Sequence, residues 1–248
     1  MTYPDLLSLW PDLQSSKGVL IDLDGTLMSG GQLYPDTKQF LTSLVQPFMI
    51  LSNDSAHICE QLERVFRQDG IPLHAGQLLL AGVALVEEFA KTEPGARVMV
   101  LGSPALRALA KAKGLKLTNN RPEAVIVMRD PGFTYQRLAS AAGALRQGAR
   151  LVVACPDMSH PGPSGAPVPE AGALAAALRA CAACDEYRVF GKPEPVMFNL
   201  ATQRLGLPPS DCVMIGDNPE TDRMGACRLG IAFYHISRPK GDSAERMI

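Results

Sequence analysis

Short apolar runs recur along this chain, and stretches of helical period separate them. Val19 to Leu23 is one such run and "PFMILS" (47–52) is the next. Continuous apolar runs of this length read as strands covered on both faces. Further strands are expected at 97–101, 124–128, 150–154, 187–190, 212–216 and 231–236. Helices are expected at 36–46, 104–113, 134–147, 171–183, 195–205 and 219–229, with another after the second strand ending at Gly70. Strands alternating with helices make a parallel α/β architecture, a doubly wound sheet.

The totals fit one large domain or a core with a second unit. The chain has 248 residues, and 46% hydrophobic composition is ordinary for a globular protein. The formal net charge of −1 carries no basic excess for nucleic acid or an anionic membrane. No apolar run approaches the roughly 20 residues that span a bilayer. The start, "MTYPDLLSLWPDL", has acids and prolines where a signal peptide has basic and apolar segments. The expectation is a cytoplasmic protein without nucleic-acid or membrane partners. The six cysteines are then free thiols. Cys181 and Cys184 form a lone C-x-x-C on an alanine-rich helix, with no second pair to complete a zinc site.

Two stretches break the alternation. Residues 155–172, "CPDMSHPGPSGAPVPEAG", read as a long loop, a type of segment that often carries function. "GKPEP" (191–195) places a lysine between turn residues.

The chemistry gathers at strand ends. Asp22 and Asp24 close the first strand, and alternation in an extended segment points them the same way. Two like charges that close need a cation or a shared proton, so a metal, an acid/base pair or both would explain them. Gly25 and Thr26 turn the chain and free backbone N–H groups to face an anion. Ser52 and Asn53 end the second strand and can donate to phosphate oxygens. Lys192 brings a compact positive charge after another strand. Asp217 and Asp222 follow the strand at 212–216. A hard divalent ion such as Mg2+ takes oxygen ligands of this kind.

"DLDGT", "LSN", "GKP" and "GDNPETD", in that order, resemble the four motifs of the haloacid-dehalogenase (HAD) superfamily. The stretch between the second and third motifs is similar to the α/β cap of its NagD-like, p-nitrophenyl phosphatase-like branch, subfamily IIA. "VMRDPGFTYQRLASA" and "CPD" followed by "EAGAL" carry that likeness. The resemblance implies a HAD-like core over 1–77 and 186–248 and an inserted cap over 78–185. It implies a Mg2+-dependent phosphatase acting on a small phosphorylated metabolite such as a nucleotide or sugar phosphate. Asp22 would be the nucleophile, forming an aspartyl-phosphate, and Asp24 the general acid and then base. Ser52 and Lys192 would hold the phosphoryl group, with Asn53 adding a contact. Asp22, Asp217 and the carbonyl of Asp24 would hold Mg2+, with Asp222 completing or buttressing the site. Cys155, Asp157 and His160 in the cap loop would contact substrate, although Cys155 stands where the branch commonly has Asn. Asp54 departs from the branch pattern, and capping of the following helix would explain it. His57 and His160 lie near the second motif and in the cap loop, with no metal-ligand spacing.

Within the superfamily that these motifs resemble, an acid at position 24 implies a phosphatase that turns over, not one left with a lasting acyl phosphate. A phosphomutase on the same chemistry and a non-catalytic phospholigand-binding protein remain the alternatives. The apolar helices of the cap leave a homodimer open.

Overall fold

The computed structural model describes residues 2–162 and 166–238; positions 163–165 of the expected loop and 239–248 of the expected core lie outside them. Two parallel sheets organise the chain. The first has six strands in the order Thr2–Tyr3, Ala232–Ile236, Cys212–Gly216, Gly18–Asp22, Phe48–Ser52 and Leu78–Leu80. All of its pairings are parallel.

Every residue of Gly18–Asp22 is buried, which is what an unbroken apolar run requires of a central parallel strand. Alternation splits its side chains between two layers. Val19 and Ile21 pack in one cluster with Ile50 and Ile215, while Leu20 packs in the other with Met49, Leu51 and Met214. From Gly18–Asp22 the chain proceeds outward on one side to Phe48–Ser52 and Leu78–Leu80, and later returns on the other side at Cys212–Gly216. The order therefore reverses beside Gly18–Asp22, and a crevice opens there outside the carboxyl ends of the strands.

The second sheet has five parallel strands in the order Arg188–Val189, Arg150–Val153, Ala124–Val127, Arg97–Leu101 and Lys116–Leu117. Met99, Val125, Val127 and Val153 pack with Ala141, Leu145 and Leu178 of helices Tyr135–Arg146 and Ala171–Ala182. The opposite face, with Val98, Val100 and Ile126, joins the cluster that holds Val19 and Ile21. The fold class is α/β, as expected. Among the described residues, no helix is long and apolar enough to cross a membrane.

Several expectations are corrected. The chain changes sheet after Leu80 and again after Val189, beyond the 77/78 and 185/186 boundaries. Leu78–Leu80 bonds to the edge of Phe48–Ser52 and leads into helix Ala81–Thr92. Arg188 and Val189 pair with Val152 and Val153, so the short strand "YRVF" belongs to the second sheet. The loop over 155–172 contains a ribbon in which Ser159–Pro161 runs antiparallel to Pro167–Pro169. The helix after the second motif is Cys59–Gln68, and neither Asp54 nor Ser55 caps it; Gln61 Oε1 accepts from Ile58 N at 2.9 Å instead. Asp54 closes a turn ahead of that helix, accepting from Ala56 N (2.7 Å) and His57 N (2.9 Å). The expected helix 219–229 is a π-helical turn, Pro219–Arg223, followed by α-helix Met224–Arg228. Wide turns of this kind re-aim side chains, and this one carries Asp222 inward to full burial.

Candidate active site

The carboxyl edge of the six-stranded sheet brings four expected residues into one cluster, in which Asp22, Lys192 and Asp222 are buried and Asp217 is half-buried. Asp22 is the last residue of its strand, Lys192 follows the second sheet, and Asp217 and Asp222 follow Cys212–Gly216. Lys192 Nζ lies 2.5 Å from Asp22 Oδ1 and 2.6 Å from Asp222 Oδ1, and it also donates to the carbonyl of Leu51 at 3.2 Å. The second oxygen of Asp22 accepts from Thr26 Oγ1 at 3.2 Å. The second oxygen of Asp222 accepts from Asn218 N at 3.2 Å.

Carboxylate oxygens of Asp22, Asp217 and Asp222 all lie within 4.8 Å of one another. Two unit charges that close repel by roughly 3–4 kcal/mol at an effective dielectric constant of about 20. One ammonium cannot offset three such acids. Lys192 stays charged because Asp22 and Asp222 outweigh the opposing effect of its burial. Burial and the charge of Asp22 push both Asp217 and Asp222 up, and Lys192 only partly opposes this. Three oxygen donors with excess negative charge fit a hard divalent cation.

Glycine makes the approach of these groups feasible. Gly25 has φ of +85°, and a Cβ there would stand 2.1 Å from Asp217 Oδ2. A Cβ on Gly216 would stand 2.2 Å from Asp222 Oδ2.

Asp24 is exposed to the crevice, next to the buried cluster. Crowding by the surrounding protein, then the charges of Asp22 and Asp54, push its carboxyl up to about 7, against Lys192 and a hydrogen bond with Ser52. That value suits a group that gives and takes a proton near neutrality. Ser52 is buried, and its Oγ also accepts from Asp54 N at 3.0 Å.

Two expected contacts are corrected. Asn53 was expected to touch phosphate, but its amide is fully engaged. Its Oδ1 accepts from Lys192 N at 2.7 Å, and its Nδ2 donates to Lys192 O at 3.0 Å and to Asp157 Oδ2 at 2.9 Å. Asn53 is thus a clamp joining the "GKP" turn, the core loop and the cap loop. Cys155 was expected to face substrate, but it is fully buried in the cap cluster beside Val153 and Ala171, where burial pushes its thiol well up. Asp157 reaches the crevice edge through Asn53. His160 is half-buried, with Nδ1 2.7 Å from Glu170 Oε1.

Two supporting residues escaped the sequence reading. His235 Nε2 donates to the carbonyl of Asp217 at 3.0 Å. Its position opposite Gly216 at the end of the neighbouring strand is the signal that could have found it. Arg238 donates to the carbonyl of Thr26 at 2.7 Å and to Asp36 Oδ2 at 2.8 Å, and so ties down the turn after Asp24.

Comparison with known proteins agrees with this arrangement. Residues 16–230 match the model of the haloacid dehalogenase-like hydrolase family. An acid sugar phosphatase of Staphylococcus saprophyticus is 30% identical over 228 residues, covering 90% of this chain and 87% of its own length. The crystal structure of a 4-nitrophenylphosphatase from Thermotoga maritima superposes with a TM-score of 0.86 at 27% identity, covering 92% of this chain and 88% of that one. A glycerol phosphate phosphatase from Mycobacterium tuberculosis, solved in complex with magnesium, superposes with a TM-score of 0.80 at 29% identity, covering 90% of this chain and 68% of that one.

Proposed function

The chain belongs to the haloacid dehalogenase-like hydrolases, and on that premise we propose that it is a Mg2+-dependent phosphatase of a small phosphomonoester that works through an aspartyl-phosphate. The observation that carries this reading is the convergence of Asp22, Lys192, Asp217 and Asp222 in one largely buried cluster beside Asp24. Relatives named as acid sugar, 4-nitrophenyl and glycerol phosphate phosphatases support the substrate class.

Asp22 attacks phosphorus, and the bond to the leaving oxygen breaks. Asp24, protonated near neutral pH, gives its proton to that oxygen, so the alcohol leaves uncharged. The same carboxylate then takes a proton from the water that attacks the acyl phosphate, which releases phosphate and restores Asp22. Lys192 holds the attacking carboxylate in place and offsets the charge of the transferring group. Ser52 is placed to meet the phosphoryl oxygens, whereas the N–H groups of Gly25 and Thr26, expected to face an anion, are spent on the carbonyls of Met28 (2.7 Å) and Leu23 (3.4 Å), so these two residues shape the turn instead. Asp22, Asp217 and Asp222 are the side chains that would hold Mg2+. Once bound, the ion supplies the positive charge that lets an anionic ester approach these acids.

Phosphate release from sugar phosphates, glycerol phosphate, nucleoside monophosphates and p-nitrophenyl phosphate tests this reading. Release with Mg2+ that chelator abolishes, and that Asp22→Asn lacks, is expected. No release from any of them by folded, metal-loaded protein would overturn it. Transfer of the phosphoryl group within a substrate without net release would identify a mutase instead.

A further inference from the structure

A cavity of about 420 Å3 lies on the seam between the core loop that follows Ser52 and the cap. His57 and Gln61 line it from the core, and Ser103 and Arg129 from the cap; short apolar side chains supply the rest. That size is within the range of small-ligand pockets. Its two basic side chains come from opposite sides of the seam.

Arg129 is held by its backbone, not by its guanidinium. Arg129 N donates to Ser55 Oγ at 2.9 Å, which fixes the start of the side chain against the core. The nearest acid is Glu170, whose Oε1 lies 3.7 Å from Nη1, beyond hydrogen-bond distance. Among the described residues, no hydrogen bond engages the guanidinium. Burial pushes Glu170 up to about 7 despite Arg129, so it does not fully neutralise its neighbour at neutral pH. A planar fork of N–H donors is therefore left facing a cavity.

His57 is arranged to the same end. Its Nδ1 lies 2.7 Å from Asp54 Oδ2, and that carboxylate favours the charged ring. Nε2 has no partner among the described residues. A short hydrogen-bonded chain ties the cavity to the crevice: His57 Nδ1 meets Asp54 Oδ2 at 2.7 Å, Asp54 N donates to Ser52 Oγ at 3.0 Å, and Ser52 in turn hydrogen-bonds Asp24. Asp24 is the residue placed above at the leaving oxygen.

We infer that the leaving group of the substrate carries a second anionic group, a carboxylate or a second phosphate, which Arg129 and His57 hold in this cavity. The inference rests on the phosphatase reading. A neutral leaving group would leave the guanidinium with no hydrogen-bond acceptor and only the ion pair to Glu170 at 3.7 Å.

The test uses the full chain with Mg2+ and three matched series of three to six carbons: ω-phosphooxy carboxylates, ω-hydroxyalkyl phosphates and α,ω-bisphosphates. p-Nitrophenyl phosphate, which lacks a second acidic group, reports the phosphatase reading separately. At one chain length, kcat/KM is expected to favour the carboxylate or the bisphosphate over the alcohol by roughly ten- to a hundredfold, the range of a charge-assisted hydrogen bond. Whichever of the two is favoured identifies the anion. Arg129→Gln should bring that ratio close to one, mainly through KM, and Arg129→Lys should keep part of it. Glu170→Gln removes the competing carboxylate and should lower KM for the favoured anion but not for the alcohol, a readout that does not depend on the folding of an Arg129 variant. Equal kcat/KM for all three series while p-nitrophenyl phosphate is turned over would overturn the inference and leave the phosphatase reading standing. Turnover of no compound would overturn both.

Discussion

Lys192 Nζ lies 2.5 Å from Asp22 Oδ1, and both side chains are almost wholly buried. A buried pair of this kind is retained at a desolvation cost, and breaking one side strands the other charge. Lys192→Met should therefore do two things at once. Unfolding free energy should fall by about 3–5 kcal/mol in metal-free protein, because Asp22 and Asp222 lose their shared ammonium. The kcat should fall by roughly a hundred- to a thousandfold. Denaturant melts in EDTA and steady-state kinetics in Mg2+ read the two effects separately; a variant of unchanged stability would contradict the pairing.

The acidic cluster makes a metal-removal prediction. Asp217 has no bond to Lys192, so its charge is the least compensated of the three. Adding Mg2+ should raise the melting temperature of the wild type, since a ligand that binds only the folded state stabilises it. Asp217→Asn should weaken that rise and shift the Mg2+ dependence of activity to higher concentration. A melting temperature indifferent to Mg2+ would count against a site formed by these acids.

Asn53 and Asp157 join the core to the cap through one hydrogen bond of 2.9 Å. Asp157→Ala removes the cap's half and leaves the two bonds from Asn53 to Lys192 intact. The expected result is a raised KM with kcat changed by less, as for an interaction that positions the cap. Asn53→Ala also frees the backbone of Lys192 and should lower kcat more strongly. Equal effects of the two substitutions on kcat would show that the clamp acts only through the cap.

The Asp54–His57 pair gives stability a pH dependence. A hydrogen bond from the ring to Asp54 raises the pKa of His57, although burial opposes this. A raised folded pKa means that the contribution is complete below the unfolded value of about 6.5 and is lost as pH rises through the folded value. Asp54 is lowered although burial pushes it up, because hydrogen bonds from His57 and Ala56 outweigh that effect, so its share is lost only in acid. The melting-temperature advantage of wild type over His57→Gln should shrink as pH rises from about 5.5 to about 9. An advantage that is flat or growing over that interval would refute the pairing as a source of stability.

The strand ends were legible because buried parallel strands announce themselves as apolar runs, and charged residues directly after such runs stand out. Asp22, Lys192, Asp217 and Asp222 were found that way. The run "LLLAGVALV" (78–86) was not legible, because every one of its residues is buried and no period separates strand Leu78–Leu80 from helix Ala81–Thr92. The sheet to which Arg188–Val189 belongs is a long-range pairing with Val152 and Val153, which local sequence does not encode. Three prolines in Ser159–Pro161 and Pro167–Pro169 hid a ribbon. Asn53 was misread because its residue type can serve phosphate and backbone equally well, and only the fold shows that its amide is already engaged.

The most direct test of the central claim is to trap the covalent intermediate. Wild-type protein turning over p-nitrophenyl phosphate with Mg2+ would be quenched with borohydride, which reduces an acyl phosphate to the alcohol, and the peptides would be read by mass spectrometry. Conversion of Asp22 to homoserine, dependent on substrate and absent when chelator is added, is the expected result. Active protein that shows no reduction at Asp22, or reduction at another carboxylate, would contradict the assignment of Asp22 as the nucleophile.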